Sequence, residues 1–179
     1  MAQVSQPDTK PDAPATHPAC WPAERLLAAC TVQRTRRSGP GGQHRNKVAT
    51  AVVITHVPTG VRAEASERRS QAENSSRAVF RLRIELALAI RGAAADVPSD
   101  LWRSRACRGH FALNAAHGDF PAILAEALDM LAACGWSPGA AAQRLGVTTS
   151  QLVKLLKLQP RAFALMNIER KKSGSQPLR

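Results

Sequence analysis

Between Asn74 and Ile90, apolar residues fall at Val79, Leu82, Leu86 and Ile90, with Phe80, Ile84 and Leu88 beside them. Steps of three and four residues put such side chains on one stripe of a helix. A striped helix of this length needs an apolar surface to lie on, and the preceding stretch offers one. Val48 to His56 is rich in β-branched residues, Pro58-Thr59-Gly60 interrupts it as a turn, and Val61 to Ser66 resumes with alternating character. The pattern predicts an antiparallel hairpin with the helix across one face. Upstream, Glu24 to Cys30 reads as a short helix that runs into a half-exposed strand over Thr31 to Arg36.

The rest of the chain reads as helices and connections. Residues 1–20 carry Pro7, Pro11, Pro14 and Pro18 among few apolar residues, which predicts a disordered leader. Residues 92–118, broken by Gly92, Pro98, Gly109 and Gly118, read as a linker or irregular extension. Asp119 is placed to cap a helix through Cys134 that Gly135 ends, Ser137-Pro138 opens a second helix ending at Gly146, and Thr148 or Thr149 opens a third. Ala142, Gly146, Val147, Leu152 and Leu155 fit a helix-turn-helix template. Five segments are therefore expected: the leader 1–20, a small sheet-and-helix domain 21–91, the linker 92–118, a helical domain 119–160, and a basic C-terminal helix or tail 161–179. The class is α+β.

Charge narrows the partners. The formal net charge is +12, from 25 Lys and Arg against 13 Asp and Glu, and favours a polyanion. It is unevenly spread: residues 34–91 hold 12 basic and 4 acidic side chains and residues 154–179 hold 7 and 1, whereas 92–153 is close to neutral. The helical domain is thus a poor candidate for the main groove reader, since Thr148, Thr149, Ser150 and Gln151 bring no charge to the start of its recognition helix. No apolar run nears the roughly 20 residues of a spanning helix, and no secretory or transit signal is legible, so no membrane role and a cytoplasmic location are expected. Cys20, Cys30, Cys107 and Cys134 show no paired spacing and read as reduced structural thiols; zinc held by Cys107, His110, His117 and Cys134 matches no common finger. No metal and no cofactor are expected.

The segment Ser38-Gly39-Pro40-Gly41-Gly42-Gln43-His44-Arg45-Asn46-Lys47 bears the chemistry. Its glycines allow a backbone closed to other residues and a close approach to a partner. It matches neither nucleotide-binding glycine pattern, G-x-x-x-x-G-K-[ST] or G-x-G-x-x-G.

The longer string is more specific. Arg37 to Lys47, then Ala51 to Gly60, then Arg69-Ser70-Gln71 and Asn74 ahead of a basic amphipathic helix, resembles the Gly-Gly-Gln domain of class I peptide chain release factors over roughly residues 29–91. The resemblance implies a small α/β domain with the Gly-Gly-Gln loop at its tip. It implies hydrolysis, by water, of the ester that joins a nascent peptide to tRNA in the ribosomal peptidyl transferase centre. Gly41, Gly42 and Gln43 are then the catalytic residues. A Cβ at either glycine would clash or forbid the required dihedral. The Gln43 backbone N–H would donate to oxygen that gains charge in the transition state, while its side chain admits water and excludes other nucleophiles. His44, with no orienting partner in view, is read as an RNA contact rather than a general base. Arg34, Arg36, Arg37, Ser38, Arg45, Asn46, Lys47, Arg68 and Arg69 are read as contacts to large-subunit rRNA or peptidyl-tRNA.

A full release factor is about twice this length and reads stop codons with a further domain, for which 179 residues leave no room. Pro14-Ala15-Thr16 matches a codon-reading tripeptide by letters only, because it falls in the leader. The chain is similar instead to codon-independent hydrolases that rescue stalled ribosomes. In those a basic tail lies in the mRNA entry channel, a part that Arg161, Arg170, Lys171, Lys172 and Arg179 could play from a tail disordered until bound. A monomer is expected. The competing readings are a nucleic-acid binder that works through the helix-turn-helix and an adaptor whose helical domain recruits another protein.

Overall fold

The computed structural model describes residues 17–35, 50–107, 110–111 and 113–178. Three strands form an antiparallel sheet in the order β1 (Cys30–Thr35), β2 (Ala51–His56) and β3 (Arg62–Ala65). β2 is central, and its Val52, Val53 and Ile54 are buried, as β-branched residues suit a strand covered on both faces. The β1–β2 register runs from Cys30 opposite His56 to Thr35 opposite Ala51, and β3 returns from Arg62 opposite Thr55 to Ala65 opposite Val52. The hairpin closes where expected, at Pro58-Thr59-Gly60. Gly60 donates to His56 O at 2.9 Å and takes φ +69°, a left-handed conformation that glycine adopts without a Cβ penalty.

α1 (Ala23–Ala28) leads into β1, and α2 (Gln71–Ala89) packs on β2 and β3. Its buried side chains are Asn74, Ala78, Val79, Leu82, Leu86 and Ala87. The helix starts earlier than its apolar stripe because Ser70 caps it, accepting from Glu73 N at 3.3 Å. It ends before Ile90, which is extended and offers its carbonyl to His17. β1 departs from the half-exposed strand expected: Thr31 to Thr35 are all exposed, since α2 lies over the other two strands and β1 is the edge strand it leaves uncovered. The N-terminal expectation also needs correction at its end. Pro18–Cys20 form a 3₁₀ turn, Ala19 is buried, and His17 is 7% exposed, because its ring bridges Ile90 O and Ala19 N. The rest of the expected leader, residues 1–16, lies outside the described residues.

The remaining chain folds onto α2. α3 (Asp100–Arg105) is followed by a short β4–β5 pair (Ala106–Cys107 and His110–Phe111), and then by α4 (Phe120–Ala133), α5 (Pro138–Arg144), α6 (Thr149–Lys157) and α7 (Pro160–Lys172). α4 is apolar on nearly every side, so it is the buried hub between α2 and the later helices. Buried residues from the sheet, α2 and α4 to α7 make one cluster. The expected boundary between two small domains therefore crosses a continuous core.

Three local expectations change. The stretch read as a linker contains α3, whose Trp102 is fully buried and donates from Nε1 to Leu145 O at 2.9 Å. Asp119 does not cap α4 with its side chain; its carboxylate accepts from Arg105 Nε at 2.9 Å instead. The C-terminal tail is not a free strand of charge. α7 buries Ala162 and Met166, Asn167 exchanges two hydrogen bonds with the backbone of Leu178, and Arg170 donates to Trp136 O and Gln176 O. The helix-turn-helix forms as expected: Gly146 takes φ +67°, Val147 N donates to Ala142 O at 3.0 Å, and Thr148 and Gln151 close a capping box.

Candidate functional site

Gly41, Gly42, Gln43, His44, Arg36, Arg37, Ser38, Arg45, Asn46 and Lys47 lie outside the described residues, as does Arg179, and what the structure defines is the platform that carries the loop. Thr35 pairs with Ala51 at the last rung of β1 and β2, so residues 36–50 form a connection whose two ends leave adjacent strands of one sheet. Gln43 is the middle residue of that connection.

The same end of the sheet gathers other features. β3 runs toward it, with Ala65 opposite Val52, and the turn at 66–70 leads from there into the N-terminus of α2. A long helix carries partial positive charge at that end, which favours anions. Arg34 on β1 and Arg68 and Arg69 in the turn are exposed there, with Arg68 3.7 Å from Glu73.

One side chain ties this end together. Asn74, fully buried in the first turn of α2, donates from Nδ2 to Thr50 O at 2.7 Å and to Arg68 O at 2.9 Å. Its Oδ1 accepts from Arg68 N at 2.9 Å. In the sequence Asn74 stands only as one letter of a longer pattern, without a role of its own; the signal that could have singled it out is a polar residue on the apolar stripe of an amphipathic helix.

Much of the basic charge is neutralised within the fold. Glu67 faces Arg77 and Arg81, and Arg62 lies 3.7 Å from Glu64. Lost solvation would raise the Glu67 carboxyl, but the N–H groups of Glu67 and Ser66 and the Arg81 guanidinium outweigh it and hold the group at about 2. Arg161, expected to touch RNA, grips Glu85 of α2 through both terminal nitrogens. Arg170 is spent on backbone carbonyls and Lys172 reaches Glu169, whereas Lys171 is exposed. A second polar cluster is internal: Asp129, 6% exposed, accepts from Gly92 N at 2.8 Å and lies 3.6 Å from Arg91. Burial lowers the His17 pKa and raises that of Asp129. This cluster joins the chain after α2 to α4 and is far along the chain from the loop.

Among the described residues no three His, Cys, Asp or Glu side chains come together to hold a metal, and no helix is long and apolar enough to cross a membrane. Of the four zinc candidates, the side chains of Cys107 and His110 lie outside the described part.

Comparison with known proteins agrees with the platform. The family model described as the RF-1 domain matches residues 28–104, which spans β1 to α3 and includes the 36–50 connection. A peptide chain release factor of Arabidopsis thaliana, PrfB1, chloroplastic, is 56% identical over 52 residues. That stretch covers 29% of this chain and 11% of the Arabidopsis protein, so the chain matches only a small part of that relative. Residues 28–104 match the RF-1 domain, and over that stretch this chain is similar to peptide chain release factors.

Proposed function

We propose that this protein hydrolyses the ester of peptidyl-tRNA in the ribosomal peptidyl transferase centre, with Gly41, Gly42 and Gln43 as the residues that enter it. The carrying observation is Gly-Gly-Gln at the middle of a connection between paired strands, inside the matched RF-1 segment. Water is the nucleophile. The Gln43 N–H stabilises the developing oxyanion, and the bare glycines let the backbone approach RNA closely. Arg34, Arg68 and Arg69, with Arg36, Arg37, Ser38, His44, Arg45, Asn46 and Lys47 of the connection, contact rRNA and tRNA phosphates.

The finer part of the proposal is codon-independent rescue of stalled ribosomes in the cytoplasm. The chain beyond the matched segment supports it: helices α4 to α7 form a body on α2 with Lys154, Lys157 and Lys171 exposed, a surface suited to RNA. If this body contacts mRNA in its channel, exposed Lys171 is best placed to carry the contact, because Arg161, Arg170 and Lys172 have partners within the fold and Lys157 lies over the Phe163 ring.

The test is release of labelled peptide from ribosomes that carry peptidyl-tRNA with no codon, a sense codon or a stop codon in the A site. Release strongest without a codon, and lost in Gly42→Ala, is the expected result. Release only at a stop codon removes the rescue reading. Ribosome binding without release under any condition removes the hydrolase and leaves the helix-turn-helix binder.

A further inference from the structure

The polar residue on the apolar stripe of α2 has no part in the chemistry above. Asn74 could have been a leucine if the helix needed only to cover the sheet. Instead it is a carboxamide whose two N–H protons and carbonyl oxygen have partners at 2.7–2.9 Å. Those partners lie in different segments. Arg68, on both its N–H and its C=O, belongs to the turn after β3; Thr50 is the last residue of the 36–50 connection, beside the terminal Thr35–Ala51 rung.

Position gives these bonds their effect. The β1–β2 register ends at Thr35 opposite Ala51, so Thr50 stands one residue beyond the ladder. Asn74 extends the order of the sheet by that residue and fixes the point at which the Gly-Gly-Gln connection leaves it. The group is fully buried, so its hydrogen bonds are shielded from competition by water. Chemically, the site accepts little else. Aspartate offers no N–H to the two carbonyls, serine has one proton for two acceptors, and alanine leaves Thr50 O, Arg68 O and Arg68 N without this partner.

We propose that Asn74 is a positioning residue for peptide release: by clasping the backbone of Thr50 to that of Arg68 it sets the stem from which Gly41-Gly42-Gln43 is presented. The inference rests on the hydrolase reading. A misplaced reacting group of about 1 Å costs on the order of a hundredfold in rate. Loss of the clasp acts on the chemical step, whereas ribosome affinity is carried mainly by basic side chains that remain.

The experiment measures kcat and KM of peptide release for wild type, Asn74→Ala, Asn74→Ser and the control Val79→Ala, each shown to be folded by circular dichroism. Val79 is 8% exposed on the same helix, and its truncation weakens the same core without touching the stem. The Asn74 variants should lose kcat by about tenfold to a hundredfold, with KM for ribosomes changed less than about threefold, while Val79→Ala keeps kcat. Equal loss in Val79→Ala, or unchanged kcat in both Asn74 variants, overturns the proposal. Amide hydrogen exchange is recorded on the same proteins at Thr35 and Ala51, the terminal rung. Faster exchange there in the Asn74 variants, and not in Val79→Ala, is expected; unchanged exchange overturns the clasp even where release falls. If wild type releases nothing, the hydrolase reading and the catalytic role of Asn74 fall together, and the exchange data still decide the clasp.

Discussion

Trp102 lies in the stretch that sequence would treat as a connection, and replacing it tests whether the sheet unit and the helical body are one cooperative structure. The indole is fully buried and donates to Leu145 O at 2.9 Å, which joins α3 to the end of α5. Trp102→Ala removes a large core side chain, which costs about 3–5 kcal/mol. Trp102→Phe keeps most of the ring but leaves the Leu145 carbonyl without its donor, at about 1–3 kcal/mol. For a domain of this size each kcal/mol moves Tm by roughly 2–4 °C, so Trp102→Ala should melt roughly 6–20 °C lower. The assay is calorimetry combined with fluorescence of Trp21, which stacks edge-on to His56 of β2 at 6.1 Å, and of Trp136 beyond α4. Because the buried cluster is continuous, both indoles should report one shifted transition in either variant. Two transitions, with the Trp21 signal melting at the wild-type temperature, would refute the argument that the body and the sheet share a core.

The charges give two further outcomes. Arg34→Ala and Arg69→Ala should each lower the slope of log ribosome affinity against log salt by about one, whereas Arg81→Ala and Arg161→Ala, whose side chains face Glu67 and Glu85, should leave it unchanged; equal slopes for all four would show that exposure does not select the RNA contacts. Glu67, held at about 2, has a folded-state value below its ordinary one, so its contribution to stability is present above the usual glutamate range and is lost as pH falls toward about 2; the difference in urea midpoint between wild type and Glu67→Gln should shrink across that interval, and a constant difference would contradict the assignment.

The residues differ in how much they disclose without coordinates. Val52 to Ile54, the Pro58-Thr59-Gly60 turn and the stripe of α2 were legible because local periodicity and turn chemistry act within a few residues. Gly146 and Thr148 were legible for the same reason. The proposed site stands in the sequence as a string, Gly41-Gly42-Gln43 with its flanking basic residues, of the residue types that close backbone approach to a partner would demand. Partner choice over long separations was not. Nothing local tells Arg161 that Glu85 will stand beside it, tells Asp119 to leave its cap for Arg105, or makes Trp102 core rather than linker. Nor does the sequence say which arginines stay exposed, since that depends on which carboxylates the fold brings to them. By itself, then, the sequence determined most of the local elements and singled out the loop on which the proposed chemistry rests. Tertiary structure alone decided that Asn74 meets Thr50 across a separation of 24 residues, because only packing α2 on the sheet brings the first turn of the helix to the stem of the loop.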